Sequence, residues 1–119
     1  MSKKEILIIE DEKLIAEMLE EFFSIMAPNF KLTFARTLKE AREILSQKKF
    51  DFHVVDCQLP DGTACDLFEE NLIKGPTLIT TGYVDKETLA KSLKRNDFEI
   101  LHKPYLPQDL LRKIKEILK

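Results

Sequence analysis

Short apolar runs alternate five times with segments whose apolar residues recur at helical spacing, and that alternation limits the chain to a repeated strand–helix architecture. The runs are 5–9, 31–35, 52–56, 77–82 and 98–102. Ile6-Leu7-Ile8-Ile9 and Phe52-His53-Val54-Val55 are near-continuous, as in strands buried on both faces. The first helical stripe is Leu14, Ile15, Met18, Leu19, Phe22, Phe23 and Met26, which reads as core packing and ends at Pro28-Asn29. Thr37 with Glu40 forms a capping box before Leu38, Ala41, Ile44 and Leu45. Leu67, Phe68 and Leu72 mark a third helix, capped by Asp61 or Thr63 and closed by Lys74-Gly75-Pro76. Leu89, Ala90 and Leu93 mark a fourth. Pro107 opens a fifth, with Leu110, Leu111, Ile114, Ile117 and Leu118. The expectation is an α/β fold: one doubly wound, five-stranded parallel sheet with five helices, as a single domain over 1–119.

A chain of 119 residues is long enough for one core. A net charge of −2 gives no reason to expect nucleic-acid or membrane-surface binding. No signal sequence is visible, and no apolar run reaches the roughly 18 residues of a membrane span. Cys57 and Cys65 lack CxxC spacing and read as reduced thiols in a cytoplasmic protein.

In a parallel sheet every strand's carboxyl end lies on one edge, where open α/β sheets place their ligands. The first strand delivers Glu10 and Asp11 there, the third Asp56, the fourth Thr81 beside Gly82, and the fifth Lys103 before Pro104. Converging carboxylates repel by about 4 kcal/mol per pair at 4 Å and an effective dielectric near 20. A hard dication relieves this, and an all-oxygen site suits Mg²⁺. Asp56 then reads as a nucleophile toward a phosphoryl group, with the metal and Lys103 on its oxygens, Thr81 donating a hydrogen bond and Gly82 leaving room and offering its N–H.

Glu10-Asp11, Asp56 with Leu59-Pro60 after it, Pro76 before Thr81, small Gly82 and Lys103-Pro104 together resemble the receiver domain of bacterial two-component response regulators, over essentially the whole chain. That resemblance implies a flavodoxin-like fold with Asp56 as phosphoacceptor, charged by a sensor histidine kinase or a histidine phosphotransfer protein. It implies Mg²⁺ on Glu10, Asp11, Asp56 and the Gln58 carbonyl, Thr81 as switch hydroxyl, Lys103 as phosphate-binding cation, and a cis Lys103–Pro104 bond. The domain would be a signalling module rather than an enzyme, beyond accepting and losing its own phosphoryl group. It would bind neither DNA nor membrane directly, would act on a downstream effector that the sequence does not name, and has room for a homodimer through the last strands and helices.

The chain also departs from the family. Glu10 replaces the commoner Asp but keeps the charge. Ile100 holds the position of the aromatic switch, so a pseudo-receiver, a docking module that works without phosphorylation, is the rival reading. Asn96 stands where Gly is usual. Gln58 and Tyr83 flank the phosphoryl position. A dehalogenase-type phosphatase would need an acid at position 58, an FMN carrier a hydroxyl- and Gly-rich first loop, and a nucleotide-binding P-loop is absent. His53 and His102 read as non-catalytic, and Lys91, Lys94, Arg95, Arg112, Lys113 and Lys115 as a solvated helix face.

Overall fold

The apolar runs pair because each exposes too much aliphatic surface to remain a lone strand. In the computed structural model, which describes residues 3–82, 85–94 and 97–118 and only the backbone at 63–65 and 92, they form one parallel sheet. Its strands are β1 (Lys4–Ile9), β2 (Phe30–Ala35), β3 (Phe52–Asp56), β6 (Thr77–Thr81) and β7 (Glu99–His102). Their spatial order is β2-β1-β3-β6-β7. The helices are α1 (Lys13–Met26), α2 (Leu38–Gln47), α3 (Ala64–Glu69), α4 (Lys86–Leu93) and α5 (Pro107–Ile117). A two-residue pair, β4 (Gln58–Leu59) with β5 (Gly62–Thr63), forms a small antiparallel hairpin after β3. The expected doubly wound sheet with five helices is present, and the order reverses between β1 and β3.

Alternation along each strand sends side chains to opposite faces. Ile6, Ile8, Val54 and Leu78 pack against Leu19 and Phe23 of α1 and Leu110 and Ile114 of α5. Leu7, Ile9, Val55 and Ile79 pack against Leu38, Leu67 and Leu89 of α2, α3 and α4. Every residue of β3 and of β6 is buried, which explains why those runs lack polar alternation.

Local signals place the helix starts. Thr37 Oγ1 accepts from the Glu40 N–H at 3.1 Å, which is the N-cap half of the expected capping box. Asp85 does the same for Thr88 at 2.7 Å, and the Leu106 N–H donates to Asp109 at 3.0 Å just before Pro107. The third helix departs from expectation in two ways. It ends at Glu69, because Asn71 takes a left-handed φ of 57°, so Leu72 lies beyond it. Asp61 caps α2 rather than α3, accepting from Leu38 and Lys39.

The α1 stripe is also narrower than the sequence suggests. Leu19 and Phe23 are buried, but Leu14, Met18 and Met26 are exposed, because the stripe is wider than the sheet surface beneath it. Phe23→Ala should therefore cost about 3–5 kcal/mol in urea unfolding, whereas Met18→Ala should stay within about 0.5 kcal/mol. Equal losses would contradict this packing.

Candidate functional site

The carboxyl ends of β1, β3, β6 and β7 meet where the strand order reverses. Glu10 follows β1, its N–H bonded to the Ala35 carbonyl at 2.9 Å. Asp56 ends β3, and the Cys57 N–H bonds to Thr80 O at 2.9 Å. Lys103 follows β7, its N–H held by Thr81 O at 2.8 Å. These backbone bonds fix three chain directions, and the side chains converge from them.

Lys103 Nζ lies 2.7 Å from Asp56 Oδ2 and 3.5 Å from Glu10 Oε1. Glu10 is 2% exposed and Asp56 5%. The Gln58 N–H donates to Asp56 Oδ1 at 3.1 Å, and the Glu12 N–H to Glu10 Oε2 at 3.1 Å. Glu10, Asp11 and Asp56 each present an oxygen within 4.8 Å of the others. The cluster opens into a cavity of about 930 Å³ lined also by Gln58, Thr81, Gly82, Pro104 and Tyr105. A Cβ built at Gly82 would meet nothing within 4 Å, so the space before it is open. The Lys103–Pro104 bond is cis, as the resemblance implies.

Three carboxylates face one ammonium here, and the burial of Glu10 shows in its protonation. Burial pushes Glu10 up to about 7, against the opposing pull of the Glu12 N–H and Lys103, and Asp56 adds to the rise. Burial opposes charge on Lys103 too, but its hydrogen bond to Asp56 and the charge of Glu10 raise it above the usual lysine value. Burial, and then Glu10 and Asp56, raise Tyr105, so its phenol stays protonated. Hard oxygen donors with excess negative charge and a proton to displace fit a small dication such as Mg²⁺.

Of the expected residues, Asp11, Asp56, Gln58, Thr81, Gly82 and Lys103 line one cavity, and Glu10 is buried behind it against Lys103. The others stand apart. His53 is buried with Nδ1 3.2 Å from Pro76 O, and burial lowers its pKa. His102 is exposed while Lys103 turns inward, as alternation requires. Ile100 is half-buried against the cluster that holds Leu89, Ala90 and Leu93. Cys57 is half-buried at the cavity wall. Among the described basic residues, Lys91 pairs with Glu87 at 3.6 Å and Arg112 with Asp109 at 3.0 Å, as on a solvated face. Tyr83, Arg95 and Asn96 lie outside the described residues, as does the Cys65 side chain. Sequence reasoning missed the 58–63 hairpin, although Pro60-Asp61-Gly62 is a turn signature. No helix among the described residues is long and apolar enough to cross a membrane.

A family model described as the response regulator receiver domain matches residues 6–115. The response regulator protein PilR of Pseudomonas aeruginosa is 36% identical over 107 residues, covering 87% of this chain and 24% of PilR. The transcriptional regulatory protein CrdR of Helicobacter pylori is 29% identical, covering 95% of this chain and 54% of CrdR. The chain therefore spans between a quarter and about half of these relatives. The non-phosphorylated HemR receiver domain of Leptospira biflexa superposes with a TM-score of 0.80 at 28% identity, over 98% of this chain and 95% of that one.

Proposed function

Because the chain belongs to the response regulator receiver domain family, we propose that residues 1–119 form one receiver domain in which Asp56 accepts a phosphoryl group from a sensor histidine kinase or a histidine phosphotransfer protein. The observation that carries this reading is a buried strand-end aspartate with an ammonium 2.7 Å away and two further carboxylate oxygens within 4.8 Å. An Asp56 oxygen attacks phosphorus as the donor's P–N bond breaks, and the freed imidazole takes a proton. Lys103 moves its ammonium from Asp56 to the phosphoryl oxygens, Thr81 donates its hydroxyl to one of them, and the Gly82 N–H serves another. Glu10, Asp11, Asp56 and the Gln58 carbonyl would hold Mg²⁺, which when bound neutralises charge that develops on those oxygens. The reaction ends with a phosphorylated protein rather than turnover, so the module signals. Its setting is the cytoplasm, and its downstream effector is a protein or domain whose output the receiver controls.

Ile100 supports a second reading. It offers neither ring nor hydroxyl and packs against the α4 cluster. A pseudo-receiver would keep this fold and dock partners without phosphorylation. Beryllofluoride, a phosphoryl mimic, separates the two. For a phosphoacceptor, beryllofluoride added to the magnesium-loaded protein shifts the amide signals of Asp56, Thr81, Gly82 and Lys103 beyond any change that Mg²⁺ alone makes, and Asp56→Ala abolishes that further shift. No shift at those residues would leave the docking module.

A further inference from the structure

The hairpin that follows Asp56 is fastened at its far end to a helix from an earlier part of the chain. Leu38 and Lys39 open α2, so their N–H groups have no acceptor within that helix. Both donate to Asp61, Leu38 N to Oδ1 at 2.8 Å and Lys39 N to Oδ2 at 3.2 Å. Thr37 serves the Glu40 N–H instead. The Asp61 carboxylate thus sits on the positive end of α2, and the Leu38 hydrogen bond is the main cause holding its pKa below the usual aspartate value.

The seat is close. Gly62 has a φ of +152°, and a Cβ there would press on Leu38 Cδ1 and lie 2.7 Å from Asp66 Oδ2. Leu59 is buried in the same cluster as Leu38. At its near end the hairpin meets the phosphoacceptor directly, because the Gln58 N–H donates to Asp56 Oδ1 at 3.1 Å. The hairpin itself has two residue pairs, Gln58 with Thr63 and Leu59 with Gly62. A ribbon that short does not hold its own shape in water. Its geometry depends on what anchors it, and Asp61 is a charged anchor.

We propose that Asp61 is a positioning residue for the Asp56 site: by locking the 58–63 hairpin to the first turn of α2, it holds the Gln58 backbone against the Asp56 carboxylate. The consequence for metal and phosphoryl binding rests on the phosphoacceptor reading, whereas the positioning of Gln58 does not.

Three variants test it. Asp61→Ala removes both acceptors, Asp61→Asn keeps an oxygen for Leu38, and Thr37→Ala removes a cap from the same helix without touching the hairpin. In the magnesium-free protein, Asp61→Ala should speed exchange of the Gln58 amide about fivefold, the value of one helix cap. Its magnesium affinity, followed by titration, should weaken by about the same factor. Asp61→Asn should restore both to within about twofold, and Thr37→Ala should loosen the Glu40 amide while leaving Gln58 and magnesium affinity unchanged. Wild-type Gln58 exchange in Asp61→Ala would overturn the proposal. So would an equal effect from Thr37→Ala, since helix softening alone would then explain it. If the wild type takes no magnesium, the phosphoacceptor reading fails, and Gln58 exchange still decides the role of Asp61.

Discussion

Lys103→Met is expected to lose about 3 kcal/mol of stability at pH 8 and to recover part of it at pH 5. The ammonium lies 2.7 Å from Asp56 Oδ2 and 3.5 Å from Glu10 Oε1, and both acids are buried. Removing one partner of a buried ion pair costs about 3–5 kcal/mol, because the other charge is left uncompensated. Lys103 keeps 26% of its side chain exposed, which puts the loss at the lower end of that range. The pH dependence follows from Glu10. Its pKa already stands at about 7, and the variant removes a group that holds it down. A carboxyl whose folded pKa is raised contributes stability that is present below its unfolded value and is lost as pH rises through the folded value. Urea unfolding of wild type and variant at the two pH values measures the difference. An equal loss at both would show that Lys103 does not act through the charge of Glu10.

Glu10→Gln should do the opposite to the metal-free protein. Glu10 titrates near 4.5 when unfolded and about 7 when folded. Between those values the unfolded chain gives up its proton first, so wild-type stability falls by about 1.4 kcal/mol per pH unit. Above pH 7 the accumulated cost reaches about 3 kcal/mol. Glutamine keeps the shape and carries no charge. The variant should therefore match wild type near pH 4 and exceed it by about 2–3 kcal/mol at pH 8 in EDTA. Magnesium should cancel most of that advantage. At a hundredfold excess over its dissociation constant a ligand stabilises by about 2.7 kcal/mol, and the variant, with one carboxylate fewer, should gain far less. Melting curves with EDTA and with magnesium give both comparisons. A variant less stable than wild type in EDTA at pH 8 would contradict the strain assigned to Glu10.

Both effects share one setting: buried carboxylates gathered around a single lysine. That feature was legible in the sequence because a parallel sheet puts all strand ends on one edge, so Glu10, Asp11, Asp56 and Lys103 were placed together by topology alone. The strands were legible because their apolar runs are long enough to show a pattern. The 58–63 hairpin was not, since strands of two residues carry no period. Asp61, one of two candidate caps for the nearer helix by sequence, has its partners 23 and 22 residues earlier, and a cap across that separation leaves no local signal. Leu72 looked helical by spacing, but a left-handed Asn71 ended α3 first. Leu14 and Met18 matched the α1 stripe, yet only packing decides how much of a stripe is covered. The raised Glu10 pKa depends on burial and could not be read from residue order.

The most direct measurement is the intact mass of the protein after incubation with acetyl phosphate, with and without magnesium, alongside Asp56→Ala. Phosphorylation at Asp56 predicts addition of one PO₃ to the wild type only when magnesium is present, and none to the variant. An unmodified wild type, or an equal gain in Asp56→Ala, would contradict it.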